Sequence, residues 1–270
     1  MILYAITCLG IALPAFGHEF WLEPQNFQPE TNTTLQVQLR NGQKFKGIEI
    51  GYFDKRIETF DWIQNEVRSP VQSRAGDFPA LTLPVAQDGL MVLVYESTNS
   101  TVQYNTWEKF AGFAKHKDFA DVEARHIERN LPMGRFSEVY TRYCKSLIGV
   151  GDAPEDAVGQ DAATDLETEF VALNNPYTDD LSAGFLVQLF YQGAPRINAQ
   201  IEVFERDPDG AVDITYLHTD QRGQATIPVK VGHTYLLDAV VLREPQEDVA
   251  TALNVVWETL WASMTFSVPQ

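Results

Sequence analysis

The stretch HEFWLEP, which begins at His18, carries the residues whose types and placement could do chemistry. A short apolar leader ends just before it, with Ala15 and Gly17 at the two positions that a signal peptidase inspects. Cleavage after Gly17 would make His18 the first residue, with a free α-amine and an imidazole on the same residue. Because these two nitrogens can close a chelate ring on a divalent metal, the sequence predicts a metal site at His18, with Glu19 as an oxygen donor.

Two alternatives stay open at this end of the chain. Cleavage after Ala15 would leave Phe-Gly-His at the N-terminus, a tripeptide that can bind Cu(II) or Ni(II) in a plane through its amine, amides and imidazole. Alternatively, the apolar residues that follow Glu19 simply start the first strand of a β-domain. His18 and Glu19 would then form a solvated polar end.

The other histidines are scattered along the chain. The sequence has five histidines, and none are paired as H-x-H, HxxxH or HExxH, so the fold would have to assemble a metal site. We predict His126, on the apolar face of a predicted helix, and His116, between two lysines, as added ligands. The alternative for His126 is a core histidine, and the alternative for His116 is an exposed loop histidine. His218, close to Asp220, is a further candidate whose alternative is a solvated strand end.

Composition excludes several classes of function. The chain has 37 acidic and 20 basic side chains in 270 residues, a net charge of -17 that would repel phosphate backbones, so we exclude nucleic acid as a partner. Of its two cysteines, Cys8 lies in the leader and Cys144 lies among apolar residues at helical spacing. Because the chain also lacks a G-x-S-x-G elbow and a phosphate-binding glycine loop, we expect no enzyme.

Hydrophobic patterning predicts a mainly β protein. Short runs with period-two alternation between residues 34 and 101, and again after residue 169, indicate two β-sandwich domains. Between them, apolar residues at steps of three and four, including Tyr140, Cys144 and Leu147, predict a helical insert. The predicted units are a signal peptide at 1–17, an N-terminal β-sandwich at 18–104, the helical insert at 105–150, an acidic linker at 151–168 and a C-terminal β-sandwich at 169–270.

Four stretches carry a resemblance to a known family: HEFWLEP, EVYTRYCKSLIGVG, TDQRGQATIPV with GHTYLLDAVVLREP, and the closing VVWETLWASMTFSV. The chain resembles a family of exported bacterial proteins whose label, nickel uptake substrate-specific transmembrane region, links them to nickel and cobalt uptake. The resemblance implies a periplasmic protein with an immunoglobulin-like first domain and a second domain similar to transthyretin-like or carboxypeptidase-regulatory modules. It also implies a role in transition-metal acquisition. After the leader, however, no apolar run is long enough to span a membrane.

These observations predict a soluble periplasmic protein that binds nickel, cobalt, copper or zinc for capture or delivery, with an inner-membrane metal transporter as a candidate partner. The predicted ligands are His18, Glu19, His116 and His126. An alternative function is a scaffold that binds a carbohydrate or a protein and whose histidines are incidental. A third is a copper-dependent oxygenase that cuts polysaccharides, because such enzymes also use an N-terminal histidine.

Overall fold

The computed structural model describes residues 18–151 and 160–270, so the predicted leader and part of the predicted linker lie outside it. Its strands are β1 (Glu19–Pro24), β2 (Thr33–Gln43), β3 (Lys46–Ile50), β4 (Ile57–Gln64), β5 (Val67–Pro70), β6 (Leu81–Val85), β7 (Gly89–Ser97), β8 (Ser100–Tyr104), β9 (Phe136–Val150), β10 (Thr168–Ala172), β11 (Phe185–Tyr191), β12 (Ala194–Pro195), β13 (Gln200–Arg206), β14 (Val212–His218), β15 (Gln224–Ile227), β16 (Thr234–Arg243) and β17 (Trp257–Ser267). Its helices are α1 (Trp107–His116), α2 (Val122–Glu128), α3 (Glu247–Leu253) and one 3-10 turn (Asp54–Arg56).

The strands form three sheets, and the predicted mainly β class is confirmed. The central sheet has nine strands in the order β14-β13-β16-β17-β9-β7-β4-β5, with β8 also paired to β9. One smaller sheet joins β1, β2, β3 and β6, and the other joins β10, β11, β12 and β15. Within the central sheet, β17 and β9 run parallel, and this pairing connects strands from the two halves of the sequence.

Both faces of the central sheet are covered. Successive residues of β7 point to opposite faces, as the pleat of a strand requires. Val92 therefore belongs to the same apolar cluster as Phe185 of β11, whereas Leu93 belongs to the cluster that contains Leu22 of β1. A third apolar cluster lies beneath α1 and α2 and contains Trp107 and Trp257. Each smaller sheet thus forms a sandwich with the same central sheet. The immunoglobulin-like and transthyretin-like assignments stay predictions.

The prediction of a helical insert is correct only for its first part. Helices α1 and α2 do follow β8, but residues 136–150 form the long strand β9. Because smaller sheets cover both faces of the central sheet, β9 is buried on both sides and shows no clean alternation of apolar and polar residues. Tyr143 and Cys144 contribute to different cores on opposite faces, although their spacing also fits a helix.

The described part of the predicted acidic linker is partly packed, because Asp161 and Thr164 are buried whereas Ala162 and Asp165 are exposed. Asp161 is buried, its Oδ1 lies 2.7 Å from Lys145 Nζ, and its Oδ2 accepts a hydrogen bond from the backbone N–H of Ala172. Glu169 Oε2 lies 3.3 Å from the same ammonium and also accepts a hydrogen bond from the hydroxyl of Thr164. These contacts anchor the segment to β9 and β10.

None of the helices in residues 18–151 and 160–270 has the length and apolar character needed to cross a membrane.

Candidate functional site

The strand β1 lies against β17, the last strand in the chain, which is in the middle of the central sheet. Its alternation sends Phe20 and Leu22 into the core beneath the first small sheet. Their backbone carbonyls accept hydrogen bonds from the side chains of Ser263 at 2.9 Å and Thr265 at 2.7 Å, both in β17. Because this anchoring fixes the backbone of β1, the position of its first residue, Glu19, is fixed as well.

Glu19 belongs to a buried cluster of charges around Lys117, the residue that follows α1. The Lys117 Nζ lies 2.6 Å from Glu202 Oε2, 2.8 Å from Asp238 Oδ2 and 3.8 Å from Glu19 Oε1. Glu202 of β13 and Asp238 of β16 stand opposite each other in the central sheet. We call these four residues the Lys117 cluster. It joins β1, α1 and two strands of the second half.

The Lys117 cluster holds one ammonium among three carboxylates. Burial lowers the pKa of Lys117, but Asp238, Glu202 and Glu19 outweigh that effect and raise it above its ordinary range. Burial, followed by repulsion from Asp238, raises the pKa of Glu19 to about 7. Burial also raises the pKa of Asp238. Lys117 supplies one positive charge for three carboxylates, so negative charge in the cluster is poorly compensated near neutral pH.

Two oxygens of the cluster have no hydrogen-bond partner in the part of the chain that the structure describes. Glu19 Oε2 and Asp238 Oδ1 are both buried, and neither has a partner among the described residues. Buried polar atoms are nearly always hydrogen-bonded in native structures, so such orphans mark a place where a ligand, a proton or water would bind.

His116 lies at the edge of the Lys117 cluster. It ends α1, and its Nε2 is 3.2 Å from Glu202 Oε2, the same oxygen that binds Lys117. Burial raises the pKa of Glu202, but its hydrogen bond with His116 and the charge of Lys117 bring the pKa below its usual value. The fold therefore brings two of the predicted ligands, Glu19 and His116, to one cluster.

His126 lies elsewhere, in the aromatic core beneath the helices. Its side chain is fully buried; Nδ1 accepts a hydrogen bond from Trp257 Nε1 at 3.0 Å, and Nε2 is 3.1 Å from the carbonyl of Pro132. Burial lowers its pKa, which favours the neutral ring. Because both ring nitrogens are engaged, the geometry matches the alternative interpretation of a core histidine, and we leave His126 out of the candidate site.

His18 is exposed and directly precedes β1. Within residues 18–151 and 160–270, no group of three or more His, Cys, Asp or Glu side chains is arranged to hold a metal ion. In the Lys117 cluster the ammonium already occupies the point where the carboxylates converge. A metal site at this end of the chain would therefore depend on the α-amine of His18. The predicted cleavage that would create this amine lies outside the described residues.

Sequence reasoning missed Lys117, Glu202 and Asp238. Each carboxylate interrupts an apolar strand, in the runs QIEVF and LLDAV. A charge in the middle of an apolar run is a signal that the charge is buried and paired. Lys117 itself follows His116 in a basic break between two helices, and nothing local distinguishes it from a surface lysine.

The fold and the site define a mainly β protein whose first strand brings a carboxylate to a buried cluster of charges. A comparison with curated proteins finds no match. A family model described as a domain of unknown function, DUF4198, matches residues 15–243, which include β1 and all four residues of the Lys117 cluster. The chain therefore belongs to the DUF4198 family.

Proposed function

We propose that the protein binds a divalent transition metal of the nickel, cobalt and copper class and acts in metal capture or delivery in the periplasm. The observation that carries this proposal is the convergence of Glu19 and His116, almost one hundred residues apart in the chain, on the cluster beside the exposed His18. No local sequence motif requires that meeting.

The donor chemistry supports this class of metal. An α-amine and an imidazole are nitrogen ligands that suit nickel, cobalt, copper and zinc. Glu19 follows His18 in the chain, and its Oε2 is buried without a hydrogen-bond partner in the described structure. We assign the primary chelate to His18 and an added oxygen to Glu19. His116 would join only by exchanging its contact with Glu202 for the metal.

Lys117 restricts which carboxylates can take part. Its ammonium binds Glu202 and Asp238 at 2.6 and 2.8 Å, so these two acids make its closest contacts and serve to hold the cluster together. Glu19, at 3.8 Å, makes the weakest of the three contacts. Glu19 is therefore the carboxylate most easily released toward a metal at His18.

The proposal is tested by metal titration of protein whose N-terminus has been verified as His18 by intact mass. We expect His18→Ala to weaken Ni(II) binding more than tenfold, because even outer-shell changes cost about 10- to 100-fold in metal affinity. Glu19→Gln should weaken it less, and His126→Ala should leave it unchanged. The matched control is His218→Ala, which removes an exposed imidazole bound to Asp118.

The pH dependence separates nitrogen from oxygen ligands. An α-amine titrates at about 8 and an imidazole at about 6.5, so affinity should fall as the pH drops from neutral to about 5. Binding that is indifferent to pH in this range, or equal in all four variants, would contradict the terminal site. The alternative function, a scaffold that binds a carbohydrate or a protein, would then take its place. An inner-membrane metal transporter would no longer be a candidate partner.

A further inference from the structure

Arg142 of β9 is a buried arginine that makes no ion pair with the residues in 18–151 and 160–270. Its side chain stacks on aromatic rings, with the guanidinium carbon 4.0 Å from the ring centre of Trp261 and 4.9 Å from that of Tyr140. Its Nη1 is buried and has no hydrogen-bond partner among the residues described. Asp238 and Glu19 favour its charge from a distance, but burial dominates and lowers its pKa.

A buried and unpaired guanidinium is costly. Charged groups taken out of water normally find a partner of opposite charge, and the planar fork of arginine fits a carboxylate through two parallel hydrogen bonds. The fold leaves Nη1 without such a partner in the described part of the chain. This vacant donor points to an anion that comes from outside the protein.

Arg142 lines a cavity of about 100 Å³ between the first small sheet and the central sheet. Its wall combines aromatic side chains, including Phe20, Phe53 and Tyr95, with polar groups. Arg56 also lines the cavity, and its guanidinium carbon lies 5.8 Å from the ring centre of Phe53. The described lining contains two arginines and no acidic residue, although the protein as a whole carries a net charge of -17.

We infer that this cavity binds a small organic carboxylate, with the carboxylate on Arg142 and an aromatic or branched apolar body against Phe20, Phe53 and Tyr95. The combination of cationic and apolar lining selects this class over inorganic anions, which gain nothing from aromatic walls. Ser97 and Ser100 add hydroxyls to the lining for a polar substituent. The site is distinct from the proposed metal chelate, because it uses Phe20 and Arg142 rather than His18 and Glu19.

Calorimetric titration with benzoate, benzamide and inorganic phosphate tests the inference on metal-free, chelator-treated protein. Benzoate should bind saturably, and benzamide, its neutral isostere, should bind at least about tenfold more weakly, because it loses the charged pair with Arg142. Arg142→Lys keeps the charge but not the fork and should also lose about tenfold. Arg222→Gln, which removes an exposed arginine bound to Asp220, is the matched control and should change nothing.

Two further comparisons keep the test decisive. If Arg142→Lys fails to fold, the benzoate and benzamide affinities of the unchanged protein decide, together with Arg56→Gln, which should weaken benzoate binding at an exposed position. His18→Ala should retain full benzoate affinity, which separates this site from the metal site. Equal affinity for benzoate and benzamide would overturn the inference, and so would phosphate binding as tight as benzoate.

Discussion

The fold buries the carboxylate of Glu19 without fully compensating its negative charge. Its nearest cation, Lys117, is shared with Glu202 and Asp238, both of which lie closer to the ammonium. Burial and the charge of Asp238 together raise its pKa from 4.5 to about 7. The protein therefore keeps a titratable group at its first strand that changes charge near neutral pH.

The first prediction concerns stability against pH. The unfolded chain loses the Glu19 proton near pH 4.5, whereas the folded protein holds it to about pH 7. The stability from this difference is fully present below pH 4.5 and is lost as the pH rises through about 7. Gln at this position does not titrate, so Glu19→Gln lacks this loss. Between pH 4 and pH 8, the free energy of unfolding of Glu19→Gln should therefore rise by about 1 to 3 kcal/mol relative to that of the unchanged protein.

Urea denaturation at the two pH values measures this gain. Glu66→Gln, at an exposed position, is the control and should show no such difference. If Glu19→Gln behaves like Glu66→Gln, the carboxylate is not held as the structure places it.

The second prediction concerns His126. His126→Ala removes the acceptor for the buried Trp257 indole N–H and opens a cavity in the aromatic core. We expect a loss of about 2 to 4 kcal/mol in the free energy of unfolding, with unchanged metal affinity. A variant of full stability that has lost metal binding would reverse our assignment and restore His126 as a ligand.

At the residue scale, local patterns predict burial better than they predict partners. The helical spacing around His126 correctly places it on an apolar face, where it is fully buried. The partners of Lys117 could not be predicted, because Glu202 and Asp238 are separated from it by more than eighty residues and reach it through strand pairing. Glu19 was predicted as a donor from its place beside His18, but its burial depends on the later strands.

The strand β9 organises the molecule at the scale of elements. It pairs with β7, β8 and β17 and carries charged residues on both faces. Arg142 contributes to the cavity beneath the first small sheet, whereas Lys145 binds Asp161 and Glu169 beneath the second. These inward charges break the apolar run of a buried strand. They are the reason why its pattern resembles an amphipathic helix and why the sequence alone gives the wrong element here.

The third prediction tests the role of β9 in holding the segment that precedes β10. Lys145→Met leaves Asp161 and Glu169 buried without their cation, which should cost about 3 to 5 kcal/mol. Limited proteolysis should then cut near Ala162, whose carbonyl accepts a hydrogen bond from Lys145 Nζ. Lys230→Met, at an exposed ion pair with Glu205, should leave both stability and cleavage unchanged. Unchanged resistance at Ala162 in Lys145→Met would contradict this anchoring.

The whole molecule is held together by the central sheet. The sequence predicts two β-sandwiches, and it correctly indicates strands on both sides of residues 151–168. It gives no sign that β17 returns to pair in parallel with β9, because such pairing depends on contacts between residues more than one hundred positions apart. Each half therefore contributes strands to one sheet, and the core of each sandwich includes residues of that sheet.

The fourth prediction follows from this shared sheet. We expect the two halves to unfold in one cooperative transition, because separating them would break the β9–β17 pairing and expose the apolar faces of both strands. Native-state hydrogen exchange should give β7 and β13 the same free energy of opening. Two distinct values would show that the units at 18–104 and 169–270 are independent domains.

The most direct test of the terminal chelate compares two proteins that differ only before His18. One begins at His18, and the other carries Gly-Ser-Gly-Ser ahead of it, which moves the free amine too far from the imidazole for both to bind one metal in a small chelate ring. Isothermal titration with Ni(II) at neutral pH should show that the extended protein binds more than about tenfold more weakly, with the same fold and thermal stability. Equal affinities would contradict the proposal that the N-terminal amine and the imidazole of His18 form the metal site.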